Sequence, residues 1–224
     1  FNKLWYRLLS TKKIWKIHKK QNILVSECDI CFPRLVYGIS IDTNRETILK
    51  EVERVYKILS KIPEFKDLIP EVYTNLARAL PSPRGTDDVA AFPGRIVKLK
   101  NKVSILGKPS FGCSRHLANV LINVNKIYPF VLACMNIRFD SSIEKAVKIS
   151  GISHIYSKAT SQDEEGVIKG IVDTLYRYGF KPVVFEYGGE GIEPNTYIFG
   201  EDLYDVLEKV IHIIWGLRVC RQKI

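Results

Sequence analysis

Arginine, histidine and glycine recur in this chain where apolar runs give way to turns, a combination suited to holding an anion. In Asp87-Asp-Val-Ala-Ala-Phe-Pro-Gly-Arg-Ile96, Arg95 follows Pro93-Gly94 and opens an apolar stretch. A guanidinium there can grip phosphate or pyrophosphate through two parallel hydrogen bonds. The competing reading is a strand-end ion pair with Asp87 or Asp88. In Phe111-Gly-Cys-Ser-Arg-His116 a turn of small residues enters an apolar, helix-period segment. A helix N-terminus presents unpaired N–H groups and the positive end of the helix dipole, which suit phosphate. Gly112 supplies the turn, Ser114 a hydroxyl, and Arg115 or His116 a charge-assisted bond. Alternatively Ser114 is only a helix cap and His116 a satisfied surface histidine.

Two further segments add polar groups at the ends of apolar runs. Asn136 and Arg138 alternate with Met135 and Ile137, so a strand would carry both on one face. Polar groups on a central strand are costly to bury without partners, which a ligand or neighbouring loops can supply. Glu193 sits between Gly191 and Pro194, where its carboxylate can accept from an aminopyrimidine, orient a cation or close a turn. The preceding Gly188-Gly-Glu-Gly191 reads as a mobile turn, with Gly189 placed against a ligand. Together the four segments suggest one site for a phosphorylated small molecule. No Ser-His-Asp arrangement, P-loop, GxGxxG or paired metal carboxylates accompany them.

The elements that must carry these residues follow from periodicity. Thr43-Asn-Arg-Glu46 has the form of a capping box ahead of Ile48, Leu49, Val52, Val55, Tyr56 and Leu59, which predicts a helix to about Lys61. Pro81–Gly85 is a loop. From residue 88 onwards strands and helices alternate. A hairpin turns at Asn101, and Ser114 caps a helix with Leu117, Val120, Leu121 and Val124 inward. Val131–Phe139 forms a central strand, and Ser141 or Ser142 caps a helix ending at Gly151. Strands at Ile152–Tyr156, Pro182–Tyr187 and Thr196–Phe199 are separated by a helix from Asp163 to Tyr178, and a last helix spans Asp202–Ile214. This alternation predicts an α/β layered domain with a mixed sheet flanked by helices.

The chain has 224 residues, 46% of them hydrophobic, enough for one domain with its own core plus an appendage. The division expected is a basic N-terminal segment or linker over 1–40 and a ligand-binding domain over 41–224. The net charge is +10. Residues 1–20 hold Lys3, Arg7, Lys12, Lys13, Lys16, Lys19 and Lys20 and no acidic residue. With Trp5, Tyr6 and Trp15 interleaved, the segment can serve phosphate contacts and base stacking. It reads equally as an amphipathic helix or tail packed through Leu4, Leu8, Leu9 and Ile14. The five cysteines are odd in number and scattered, as expected of reduced thiols in a cytoplasm. Cys28-Asp-Ile-Cys31 has half the spacing of a zinc site, with His18 a third candidate and a fourth ligand missing, so no metal site is expected. No apolar run reaches the ~18 residues of a membrane span. The first residue is Phe1, which leaves room for upstream sequence.

Ile69-Pro-Glu-Val72, Asp88–Ile96, Phe111–Ala118, Met135–Arg138 and Glu193-Pro194 together resemble, in order and spacing, the archaeal thiamine-phosphate synthase ThiN family over roughly Ile69 to Ile214. The resemblance implies an α/β fold that dimerises and binds thiamine phosphate or its phosphorylated precursors. It also implies a ligand set of Arg95, Gly112, Ser114, Arg115, His116, Asn136, Arg138, Gly189 and Glu193. The family has a synthase form and a regulatory form. The synthase joins hydroxymethylpyrimidine diphosphate to thiazole phosphate, releases pyrophosphate and is helped by Mg²⁺. The regulator senses thiamine phosphate behind an upstream DNA-binding domain. Arg95 and His116 match the arginine and histidine to which catalysis is attributed. Synthases typically carry lysine at the position of Ile192, and losing a cation there is worth about a few kcal/mol against departing pyrophosphate. That departure, Asn195–Gly200 and the Cys28/Cys31 segment lead to the sensor as the expected form, with the synthase as the alternative.

Overall fold

In the computed structural model of the protein, the described residues are 44–100 and 102–221. The expectations resting on residues 1–20, His18, Cys28, Cys31, Thr43 and Asn101 lie outside them. Helix α1 (Arg45–Ser60) starts at Asn44, whose side chain accepts from the Glu46 N–H at 3.0 Å. Asn44 is therefore the cap, and it satisfies one of the orphan donors of the first turn. The helix buries Ile48, Val52, Val55 and Leu59, spaced as one helical face. It ends ahead of a short 3-10 turn, Pro63–Leu68, that buries Phe65 and Leu68.

The strands are β1 (Leu76–Ala79), β2 (Val89–Ala91), β3 (Ile96–Leu99), β4 (Lys102–Ile105), β5 (Ser110–Phe111), β6 (Ala133–Arg138), β7 (His154–Ser157), β8 (Val183–Glu186) and β9 (Asn195–Gly200). Seven of them form one sheet in the order β5-β2-β1-β6-β9-β8-β7, and β3 and β4 pair as a separate hairpin. The sheet is mixed, as expected: β7 and β8 run parallel while every other neighbouring pair is antiparallel. The parallel pair is joined through helix α4 (Glu164–Tyr178), the crossover that parallel strands require.

Helices α2 (His116–Ile127) and α4 cover one face of the sheet. Leu117, Val120 and Leu121 of α2 and Val167, Ile171 and Leu175 of α4 pack there against Ala77, Cys134, Val184 and Phe199. Strand alternation sends Leu76, Met135, Ile137 and Ile198 to the other face, and all four are fully buried. Helix α5 (Leu203–Arg221) contacts β1, β6 and β9 there and packs on α3 (Ser141–Ser150) and α1. Where α5 crosses α3, a Cβ on Gly216 would lie 2.4 Å from the Ala146 carbonyl oxygen, so only glycine allows the approach.

Three local expectations are corrected. Ser114 does not cap α2: Arg115 occupies the cap position and no side chain accepts from the first turn. Asp140, not Ser141 or Ser142, caps α3, its Oδ1 accepting from the N–H groups of Ser142 and Ile143 at 2.8 and 3.0 Å. A carboxylate is the stronger acceptor at the positive end of a helix. Helix α5 runs to Arg221, well past Ile214. Its last turns are tied down by ion pairs from Arg218 to Glu64 and from Arg221 to Asp67, at 2.6 and 2.9 Å.

Candidate functional site

Helix α2 leads into antiparallel alignment with β6, and α4 follows β7, so both helix N-termini lie at the carboxyl ends of β6, β7 and β8. The first residues of the two helices meet there: His116 Nδ1 is 3.8 Å from Glu164 Oε1. In its first turn α2 has no side-chain cap, and the earliest backbone bond runs from the Asn119 N–H to the Arg115 carbonyl at 3.0 Å. The N–H groups of His116, Leu117 and Ala118 therefore have no carbonyl partner within the helix. Helix α4 is closed by Asp163, whose Oδ1 accepts from the Gly166 N–H at 2.7 Å. The uncapped terminus is the one that favours an anion.

Arg95 reaches this end of the sheet from the β2–β3 turn. Gly94 and Arg95 both have positive φ, 66° and 68°, which is strained backbone for an arginine. Asn75 holds the turn: its Nδ2 donates to the Phe92 carbonyl at 2.9 Å and its Oδ1 accepts from the Phe92 N–H at 3.0 Å. The expected alternative, an ion pair with Asp87 or Asp88, does not form. Asp88 pairs with Arg45 at 3.1 Å, and Arg95 donates instead to the Val72 carbonyl. Its guanidinium is exposed and has no acidic partner among the described residues.

His116 Nε2 lies 2.8 Å from the Tyr197 hydroxyl, while its buried Nδ1 has no hydrogen-bond partner. Burial pushes the imidazole below its ordinary value and Arg95 adds to the fall, against the opposing pull of Glu164. Histidine at the head of α2 is therefore neutral near pH 7 and sits within electrostatic reach of Arg95. Tyr197 is buried in the middle of β9, opposite Asn136 on one side and Val184 on the other. Burial raises its phenol far above the ordinary range, with Glu186, Cys134 and Glu164 adding to the rise and Arg95 opposing it.

Of the other expected ligand residues, Asn136, Arg138, Gly189 and Glu193 lie toward the carboxyl ends of β6 and β8, Gly112 lies instead beside the amino end of β2, and several are already committed to protein partners. Both carboxylate oxygens of Glu193 accept backbone N–H groups, from Glu71 and Val72, each at 2.9 Å. Asn136 accepts from the Asn75 N–H at 3.0 Å and donates to the Tyr73 carbonyl at 3.0 Å and to Asn195 at 3.2 Å. Arg138 pairs with Asp140 and donates to the Asp67 carbonyl and to Ser142. The Gly112 N–H is used by the Val89 carbonyl at 3.1 Å, and its φ of 76° together with the nearby Asp87 carboxylate accounts for the glycine. Ser114 and Arg115 lie in the turn before α2, with Arg115 exposed. Gly189 exchanges backbone bonds with Ile192 at 3.1 and 3.0 Å, and a Cβ there would meet open space. Ile192 packs against the core beneath α2 and α4.

Sequence reasoning missed Tyr197, Glu186 and Ser157. Glu186 ends β8 almost fully buried, its oxygens accepting from Ala159 and Gly188 at 3.2 and 2.9 Å. Burial raises its carboxyl above the usual range despite those two bonds. Ser157, its neighbour across β7–β8, is buried with an unpartnered hydroxyl. The available signal was an acid closing the apolar run Val183-Val-Phe-Glu186 just before a glycine pair. Among the described residues, no three His, Cys, Asp or Glu side chains gather to hold a metal ion.

A family model described as "Thiamine-phosphate synthase ThiN" matches residues 51–212. The chain is 34% identical over 172 residues to the bifunctional thiamine biosynthesis protein ThiDN of Methanocaldococcus jannaschii, an alignment covering 75% of this chain and 40% of that protein. It thus spans less than half of that relative. It is 31% identical over 174 residues to the thiamine-phosphate synthase ThiN of Methanothermobacter thermautotrophicus, covering 74% of this chain and 92% of that protein. A crystal structure of the C-terminal domain of a phosphomethylpyrimidine kinase superposes with a TM-score of 0.70 at 31% identity, over 76% of this chain and all of that one.

Proposed function

Because the chain belongs to the thiamine-phosphate synthase ThiN family, we propose that it is a thiamine-phosphate synthase, joining hydroxymethylpyrimidine diphosphate to hydroxyethylthiazole phosphate with release of pyrophosphate. The observation that carries this reading is the convergence of exposed Arg95 and neutral His116 at the uncapped N-terminus of α2. In this reading the diphosphate lies against the free N–H groups of α2 and the Arg95 guanidinium. The bond between the pyrimidine methylene carbon and the diphosphate oxygen breaks, and the thiazole nitrogen forms the new bond to that carbon. The electron pair leaves with pyrophosphate, whose growing charge Arg95 and the helix terminus stabilise. His116 donates a hydrogen bond to the same group. Mg²⁺ would supply further charge neutralisation to the diphosphate; among the described residues no three His, Cys, Asp or Glu side chains gather to hold it.

A second reading is supported by Ile192, which packs against the core where the synthase pattern has lysine. A domain that binds thiamine phosphate as an effector, as a homodimer and next to a DNA-binding domain, has no need of that cation. The names of the two curated relatives support the synthase over this sensor. The test is to incubate the protein with both phosphorylated precursors and Mg²⁺ while following pyrophosphate, with calorimetry on thiamine phosphate alongside. Stoichiometric thiamine phosphate and pyrophosphate are the expected result. Tight thiamine-phosphate binding without turnover would replace the synthase by the sensor.

A further inference from the structure

We propose that Tyr197 is a positioning residue that donates its hydroxyl proton to His116 Nε2, fixing the neutral imidazole with its own proton on Nδ1 and aimed at the anion. The inference deepens the synthase reading and rests on it for the identity of that anion. Its geometry stands on the apo protein.

The argument is one of donors and acceptors. A neutral histidine has one ring nitrogen that donates and one that accepts. Nε2 lies 2.8 Å from the Tyr197 hydroxyl, and the two rings meet at a centroid distance of 6.0 Å. If Nε2 carried the proton it would donate to the phenol oxygen, and the phenol proton would then need another acceptor. Tyr197 is 3% exposed, and His116 is the hydrogen-bond partner of its hydroxyl among the described residues. That arrangement would strand a buried donor, which is costly. The opposite one satisfies both groups at Nε2 and leaves the proton on Nδ1.

The phenol is a permanent donor. Burial, with Glu186, Cys134 and Glu164 nearby, keeps it protonated, and Arg95 does not overcome them. Its position is equally fixed, because Tyr197 lies within β9 between Asn136 and Val184. The Nδ1 atom so protonated is the buried polar atom left without a partner, 3.8 Å from Glu164. A bound phosphate oxygen would satisfy it. His116 then acts as a neutral hydrogen-bond donor to the leaving diphosphate through Nδ1–H, on the ring edge that Tyr197 does not occupy, and keeps its proton.

The experiment is long-range ¹H–¹⁵N correlation NMR of the 224-residue chain at about pH 8, above the ordinary histidine range. The His116 signals are identified by their loss in His116→Gln. The expected result is a δ-protonated imidazole in the parent, a shift toward the ε-protonated form in Tyr197→Phe, and a moved Nδ1 resonance when inorganic pyrophosphate is added to the parent. An ε-protonated His116 in the parent overturns the proposal, as does a tautomer unchanged in Tyr197→Phe or an Nδ1 indifferent to saturating pyrophosphate. Should Tyr197→Phe fail to fold, the parent spectrum alone decides. The synthase reading fails separately: absence of turnover in a protein with the expected tautomer removes that reading and leaves this inference standing.

Discussion

At the scale of single residues the proposed site divides into groups that would face an anion and groups that hold those groups in place. Arg95 and His116 belong to the first kind, so Arg95→Ala and His116→Ala should each weaken thiamine-phosphate binding about 10- to 100-fold, the worth of a charge-assisted hydrogen bond. Calorimetry checks this, and parent-like affinity in both variants would move the site elsewhere. Glu193 belongs to the second kind. Its carboxylate fixes the N–H of Val72, whose carbonyl accepts from Arg95, so it acts on the arginine through the 71–72 backbone. Glu193→Gln sets a side-chain donor against one of two backbone donors and should cost about 1–3 kcal/mol in denaturant unfolding. It should also loosen Arg95 and weaken anion binding while leaving His116 untouched. The histidine carries a pH signature. Its folded-state value lies below its ordinary one of 6.5 because burial opposes the charge. Its contribution to stability is therefore present above about pH 6.5 and is lost as the pH falls through the folded value. Unfolding midpoints followed from about pH 7.5 down to about pH 5 should fall less steeply in His116→Gln than in the parent.

At the scale of elements, periodicity made the helices and the long strands legible, and short or polar pieces were not. The period of Ile48, Val52, Val55 and Leu59 gave α1, and the run ending at Gly179 gave α4, capped by Asp163. Strands β1, β2 and β5 are four, three and two residues long, too short to show alternation. They exist because β6 and the Asn75 side chain provide the pairing, which is tertiary information. Caps were misplaced by one or two residues where several candidate side chains stood in a row, as in Asp140-Ser-Ser142. Arg95 and His116 were legible as candidates because turn glycines mark them. Tyr197 was hidden in the apolar run of β9, since a hydroxyl inside a strand becomes informative only once its partner is known. One close-packed glycine, Gly170, lies in the site-bearing layer and another, Gly216, in the opposite one. In Gly170→Ala the new Cβ would lie 2.2 Å from the Lys158 carbonyl oxygen, and in Gly216→Ala 2.4 Å from that of Ala146. Each should cost about 1–3 kcal/mol as overpacking. Only Gly170→Ala displaces α4 and the 158–163 loop beside Glu164, so only it should also weaken ligand binding. Equal loss of affinity in both variants would show that binding tracks overall stability.

At the scale of the whole molecule, the seven strands of the sheet described above, both covering layers and the proposed site residues fall between residues 44 and 221. The family match lies inside the same span, at 51–212, and the compact unit that holds it begins at Thr43. Among the described residues, the core beneath α2 and α4 draws on Ala77 to Phe199. A chain beginning at Thr43 should unfold in one transition near the parent's midpoint and bind thiamine phosphate within about twofold, because it keeps every residue proposed above to make the site. The cations lost with the segment include Lys12, Lys13, Lys19 and Lys20. If that cluster contacts polyphosphate, the full chain should bind duplex DNA with an affinity that falls steeply with salt, and the shortened chain should bind far more weakly. Fluorescence anisotropy over a salt series separates the outcomes. Equal, salt-sensitive binding by both chains would assign the contacts to the domain itself. Absence of binding by the full chain would leave the basic segment as a solvated or packed tail.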